Sequence, residues 1–138
     1  MSEMDRPAGQ TWSRVVATAQ GGYFTVTGVW PLLSRGSFEA VTGPKTDWWL
    51  VQTVGVLVTT AGAALLGAGG RGRVGPDVRR LAVGASLGLA AIDVVHVARG
   101  RIGKIYLLDA AAELGLAAAW LIATRRDRLD SRSQREDD

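Results

Sequence analysis

The sequence predicts an all-α fold, a four-helix transmembrane bundle running up-down-up-down. Three observations predict it. Residues Trp48 to Ala68 form a stretch of 21 with no charged side chain, and about 20 helical residues cross the hydrocarbon core of a bilayer. Three further apolar stretches flank it, at about 14–33, 77–98 and 102–124. Gly, Pro and Arg punctuate the segments between them.

Composition agrees with one membrane domain. The chain has 138 residues, so four spans leave little for a soluble core. Mean hydropathy is only +0.12, because polar tails and Arg-rich loops dilute the spans. Cysteine is absent, which removes disulfides and thiolate chemistry. The 18 glycines suit close helix packing in lipid. Net charge is +3, but no basic face is interleaved with groove-reading or stacking residues, so no nucleic acid is expected as a partner.

Residues 1–11 read as a disordered polar tail. Ala17-Thr18-Ala19 looks like a signal-peptidase site. The segment before it holds Glu3, Asp5 and Arg6 and lacks a long apolar run, so no cleavage is expected there. Span 1, about 14–33, contains Gly21, Gly22 and Gly28 and closes at Trp30-Pro31. The loop 34–46 has room for a short interfacial helix around Phe38, ended by Gly43-Pro44, with Thr46 or Asp47 able to cap the next helix. Span 2, about 47–68, opens with Trp48-Trp49 at the level of an aromatic belt, and Gly55, Thr59 and Gly62 line a small-residue stripe. A basic glycine loop, 69–76, leads to span 3, about 77–98, with Asp77 as its expected cap and Gly84/Gly88 as a packing pair. A tight turn at Gly100 precedes span 4, about 102–124. The charged tail 125–138 reads as disordered. The membrane domain is therefore 12–124.

Orientation follows from Lys and Arg. In a four-span layout 11 basic residues share the side of the two termini and the 69–76 loop, and five lie on the other side. The positive-inside rule then places both termini in the cytoplasm of a multi-pass inner (plasma) membrane protein.

Spans 3 and 4 carry acids. Asp93 and His96 are three apart, Asp109 and Glu113 four apart, so each pair shares a helix face. Folding the spans about Gly100 puts Asp93 and Asp109 within about 3 Å in depth, at 1.5 Å per residue. Glu113 falls deeper. A central Asp costs about 3 kcal/mol to insert while each Leu or Ile returns only about 0.3 to 0.6. Span 4 alone is marginal on that scale and must turn its acids inward. Gln52, Thr53, Thr25, Thr27 and Tyr106 lie at similar depth, with Trp30, Trp48 and Trp49 at the rim. The expectation is an acidic cavity in the outer half of the bundle, with Asp93, His96, Asp109, Glu113, Gln52 and Tyr106 as ligand-binding candidates. A structural alternative pairs Asp93 with Arg101 or Lys104 and leaves His96 to interfacial water.

The single His, with one Asp-x-x-His and one Asp-x-x-x-Glu, falls short of a two-metal carboxylate set, and no metal is expected. No phosphate loop, dinucleotide fingerprint or catalytic triad appears, so no cofactor is implied. Three functions compete. One is binding of a cation or small amphiphile. Another is an intramembrane acid–base enzyme of isomerase type, with Glu113 as acid and Asp93 or His96 as base. The third is an accessory subunit whose glycine faces meet a partner membrane protein or a second copy.

The segments Trp30-Pro31-Leu32, Thr42-Gly43-Pro44-Lys45-Thr46-Asp47-Trp48-Trp49-Leu50-Val51 and Tyr106-Leu107-Leu108-Asp109-Ala110 resemble those of small, uncharacterised four-helix integral membrane proteins of bacteria. The resemblance covers about 12–124 and implies a fold and no activity. The layout is also similar to EXPERA-type bundles, which keep acids inside four membrane helices and bind sterol-like or cationic amphiphiles. Their motif does not align residue by residue, so no site residue is carried over from them.

Overall fold

The computed structural model describes residues 9–137. They form five helices: α1 (Thr11–Leu33), α2 (Arg35–Thr42), α3 (Trp48–Arg71), α4 (Pro76–Ala98) and α5 (Tyr106–Glu136). There is no strand among the described residues. Helices α3, α4 and α5 are each long and apolar enough to cross a membrane.

The packing is inverted relative to a water-soluble protein. The buried interior mixes small and polar residues, Ala17, Ala82, Ala90, Ala110 and Ala117 beside Ser13, Gln20, Ser86 and Glu113, with a few large apolar ones, Phe24, Leu65, Val74 and Trp120. Val26, Leu57, Leu87, Ile92, Leu108, Leu114, Leu121 and Ile122 all point outward. An exterior of this kind has no reason to form in water, where apolar burial drives folding. Against acyl chains it costs nothing.

Helix α1 is the hub. It runs antiparallel to α3, and the two backbones touch. A Cβ built on Gly21 would lie 2.7 Å from the Leu66 amide nitrogen, one on Gly62 2.6 Å from the Thr25 amide nitrogen, and one on Gly55 2.7 Å from the Gly28 carbonyl oxygen. Gly55, Gly62 and Gly69 on α3 thus face Gly28, Gly21 and Thr18 on α1 at a repeat of seven, the seam period of a left-handed helix pair. The stripe of Gly55, Thr59 and Gly62 is where the sequence places it, with Gly69 extending it. Gly84 and Gly88 differ: a Cβ on either meets nothing within 4 Å, so they pack against no element of the chain.

The helix ends are set locally. Gly72 and Gly100 take positive φ, at 66° and 65°. Each lets a helix close with a six-to-one bond, Arg73 N–H to Ala68 O and Arg101 N–H to His96 O. Gly75 is the N-cap of α4 with Pro76 first in the helix, so the expected cap, Asp77, sits inside the first turn and pairs with Arg80 at 3.0 Å. Ser34 ends α1 and caps α2, accepting from the Ser37 N–H. Helix α2 lies at the end of α1, where Trp30, Phe38 and Trp48 stack edge to face and the Arg35 guanidinium sits 4.8 Å over the Trp48 ring. Glu39 accepts from the Lys45 N–H and pairs with Arg35, and these two contacts hold its carboxyl below its ordinary value.

Two boundaries depart from expectation. Helix α5 begins at Tyr106, not 102, because residues 99–105 form the turn. It continues to Glu136, so most of the segment expected as a disordered tail, 125–138, is helical. A charged run reads as disorder when it has no partner, but here Asp127 anchors its base. The expected disordered tail 1–11 falls mainly on residues outside the described ones. Gln10 is ordered, and its side-chain amide exchanges two hydrogen bonds with the backbone of Val74.

Neighbouring glycines give a clean test of the α1–α3 seam. Gly21→Ala drives a methyl into the α3 backbone and should cost about 1–3 kcal/mol, while Gly22→Ala, which meets nothing, should be neutral or gain up to about 1 kcal/mol in helix propensity. Thermal unfolding of the two variants in detergent checks the contrast. Equal melting temperatures would show that the seam is not formed.

Candidate functional site

Each long helix except α3 carries a polar residue every seven positions on its inner face. On α1 these are Ser13 and Gln20, on α4 Ser86 and Asp93, on α5 Glu113, Trp120 and Asp127, and all seven are buried. The repeat stacks them into three layers.

The deepest layer centres on Gln20, which is fully buried. Its amide nitrogen donates to the Ala82 carbonyl at 2.9 Å and to the Ser86 hydroxyl at 3.0 Å, and its amide oxygen accepts from Trp120 Nε1 at 2.6 Å. One side chain therefore ties α1 to both α4 and α5. A primary amide suits this position because it donates and accepts without carrying charge.

A second layer lies towards the N-terminus of α1. Both carboxylate oxygens of Asp127 turn to that helix end, one accepting from the Trp12 N–H at 3.0 Å, the other from the Ser13 N–H at 3.0 Å and the Ser13 hydroxyl at 2.5 Å. The first N–H groups of a helix have no intrahelical acceptor, and a carboxylate beside them satisfies both the amides and the helix dipole. Thus α5 caps α1. Beside it the Arg126 guanidinium stacks 4.6 Å above the Trp12 ring.

The acid cluster forms the third layer. Asp93 on α4 and Asp109 on α5 bring their carboxyls together. The Tyr23 hydroxyl of α1 donates to Asp109 Oδ1. One helical turn deeper, the Glu113 carboxyl faces the Ser86 hydroxyl, and only 1 % of this residue is exposed. Asp93 Oδ2 and Glu113 Oε2 are buried with no hydrogen-bond partner among the described residues. Unsatisfied buried carboxyl oxygens are costly in a low-dielectric interior.

Of the six predicted site residues, Asp93, Asp109 and Glu113 converge. The other three do not join them. His96 is bonded through Nδ1 to the Ile92 carbonyl of its own helix, at 2.8 Å. Gln52 is exposed on α3, because α3 packs on α1 through its glycine face. Tyr106 lies under the Lys45 ammonium, 5.4 Å from it, at the α2–α3 loop. Depth suggested Gln52 and Tyr106, and three-residue spacing from Asp93 suggested His96; neither fixes which side chains a neighbouring helix meets. Thr53 is exposed and bonds its own helix at Trp49 O, and Thr27 likewise bonds Tyr23 O. Asp93 makes no salt bridge with Arg101 or Lys104, which are exposed.

Sequence reasoning missed Tyr23, Gln20, Ser86, Trp120 and the Ser13–Asp127 cap. The repeats Ser13–Gln20, Ser86–Asp93 and Glu113–Trp120–Asp127 were the signal available for most of them. Two open recesses lie at the opposite end of the helices, lined by Arg79, Arg128 and Arg132 in one case and by Arg14, Thr18 and Gly69 in the other. Neither borders the acids. No group of three or more His, Cys, Asp or Glu suited to a metal occurs among the described residues.

No family model, curated protein or solved structure matches this chain.

Chemically, the acid cluster gathers three carboxyls and a phenol contributed by α1, α4 and α5. Its second acid–base partner in the enzyme reading, His96, stands apart, which leaves Glu113 and Asp93 without an imidazole.

The other two layers carry structural weight that can be measured. Gln20→Leu leaves the Trp120 N–H and the Ser86 hydroxyl without their partner and should cost about 1–3 kcal/mol. Asp127→Ala uncaps α1 and should cost about 1–2 kcal/mol. Both are read as falls in melting temperature in detergent. Unchanged stability in Asp127→Ala would mean that α5 does not reach α1 there.

Proposed function

We propose that this chain is a four-span protein of the bacterial inner membrane, with α1, α3, α4 and α5 running up-down-up-down and both termini cytoplasmic. In this reading α1 is the fourth span. It is too polar to qualify on hydropathy alone, yet its Gln, Ser and Tyr face other helices. The outward belt of Leu, Val and Ile supports the placement, as does the excess of Arg at the end that carries the termini.

The acid cluster then binds a small cation in competition with protons. The observation that carries this is the pair of buried carboxyl oxygens without partners, Asp93 Oδ2 and Glu113 Oε2, supplied by two helices and adjoined by Tyr23 and Asp109. Hard cations take oxygen ligands of this kind. Carboxylates bind cations only when deprotonated, so occupancy should weaken as pH falls. A cationic amphiphile is a poorer fit, since neither of the two open recesses adjoins the cluster. The resemblance to EXPERA-type bundles would favour that amphiphile instead.

Thermal stability in detergent, measured with lithium, sodium, potassium or calcium chloride at constant ionic strength, tests the reading. At least one cation should raise the melting temperature, less so at lower pH, and the rise should vanish in Asp109→Asn and Glu113→Gln. No rise with any of them would sink it. A rise only with a long-chain quaternary ammonium would shift the reading to amphiphile binding.

The accessory-subunit reading keeps one specific support. Gly84 and Gly88 are outward and unpartnered within the chain, as a face for a second membrane helix would be. If so, a co-purifying partner or a second copy is lost in Gly84→Leu. Retention of the same assembly in that variant would dismiss it.

A further inference from the structure

The end of the molecule opposite the acid cluster holds a pocket of about 340 Å³ between the first turns of α4 and the last turns of α5. That size is near the lower limit of ordinary ligand sites, roughly 300 Å³. Its lining includes Arg79 of α4 and Arg128, Arg132 and Arg135 of α5. The last three are spaced four and three apart, so they share one face of the helix. Four guanidinium groups around a small concavity repel one another unless something neutralises them.

The chain does not do so within the described residues. The salt bridges found there are Arg35–Glu39 and Arg80–Asp77, and neither involves these arginines. Asp127 also lines the pocket, but both its oxygens are spent on the amides of α1 and on Ser13. Its charge is offset by that helix terminus, not by the arginines. The Nε of Arg79 is buried without a partner, which is costly for a cationic donor.

The geometry points to a binding site for a phosphate group in this pocket, held by Arg79, Arg128, Arg132 and Arg135. Arginine forks match phosphate oxygens two at a time and form strong charge-assisted bonds. The location suits a lipid headgroup, because Trp12, with its ring under Arg126, sits beside the pocket-lining Asp127, at the level an interfacial aromatic would take. Basic recesses at such a position bind anionic headgroups. A free phosphate offers the same chemistry. The site does not depend on the acid cluster's function, since the two lie at opposite ends of α5.

The test uses the full chain in detergent, at fixed ionic strength, with three probes: phosphatidylglycerol, phosphatidylcholine and inorganic phosphate. Melting temperature and retention of the probe in native mass spectrometry are read for each. Phosphatidylglycerol or inorganic phosphate should stabilise the protein, and binding should weaken roughly tenfold or more in R128Q/R132Q. R101Q, at the other end of the helices, should respond like the wild type. R79Q provides a single substitution in case the double variant is unstable on its own. Response to phosphatidylglycerol alone identifies a lipid headgroup. Response to inorganic phosphate alone identifies a soluble phosphate. Equal response to phosphatidylcholine and phosphatidylglycerol with no loss in R128Q/R132Q, or no response of the wild type to any probe, overturns the assignment.

Discussion

A polar atom in hydrocarbon has no water to turn to, so it must find its partner inside the chain. That constraint organises this molecule. It explains why α1, the one long helix not apolar enough to qualify as a span by itself, is tied to its neighbours through polar side chains. Ser13, Gln20 and Tyr23 of α1 meet Asp127, Trp120 and Asp109 of α5, and Gln20 also meets Ser86 of α4. Helix α3 meets α1 by a different device, the bare backbone of facing glycines. The hub is therefore held on one side by hydrogen bonds and on the other by dispersion at close range. Neither mechanism needs the hydrophobic effect, which does not act between helices in lipid.

The same constraint separates two kinds of buried acid. Asp127 is saturated: two amides and a hydroxyl reach its two oxygens. It behaves as a cap whose sequence position happens to lie 115 residues from the helix it caps. Asp93 and Glu113 are each left with a free oxygen. Burial is comparable at the three acids; hydrogen-bond satisfaction is not. A chain that needed only packing at those two positions could have used Asn or Gln, as it does at Gln20, where every polar atom is matched.

The four long segments, the short helix after span 1, the turn at Gly100 and the Gly55–Thr59–Gly62 stripe were all legible, because length, hydropathy and glycine spacing are local properties. So was the meeting of Asp93 with Asp109, since equal distance from one turn fixes equal depth. Which face each helix presents was not legible from depth. That is why Gln52 and Tyr106, placed by depth, were grouped with the acids although they sit on other surfaces, as was His96, placed by its spacing from Asp93. Gly84 and Gly88 show the same limit, for a spacing suited to packing does not say that a neighbour is there. The end of α5 was misread for a further reason: a run of Arg and Asp carries no apolar signal, and the contact that orders its base, Asp127 with the N-terminus of α1, links the two ends of the described chain.

The order of polar residues along α5 gives the helix a graded character. Asp109 and Glu113 come first, then the neutral Trp120, then Asp127 with Arg126 and Arg128 beside it. An acidic stretch near the N-terminus and a basic one near the C-terminus both run in the sense that a helix dipole favours. Asp127, Asp130 and Glu136 run against that order, and Asp127 looks across to the start of α1, where the helix field favours a carboxylate. Antiparallel packing of α1 and α5 is what makes that exchange available. Were α1 reversed, the same carboxylate would face carbonyl oxygens instead of amides, and the side chain that now joins the two helices would force them apart.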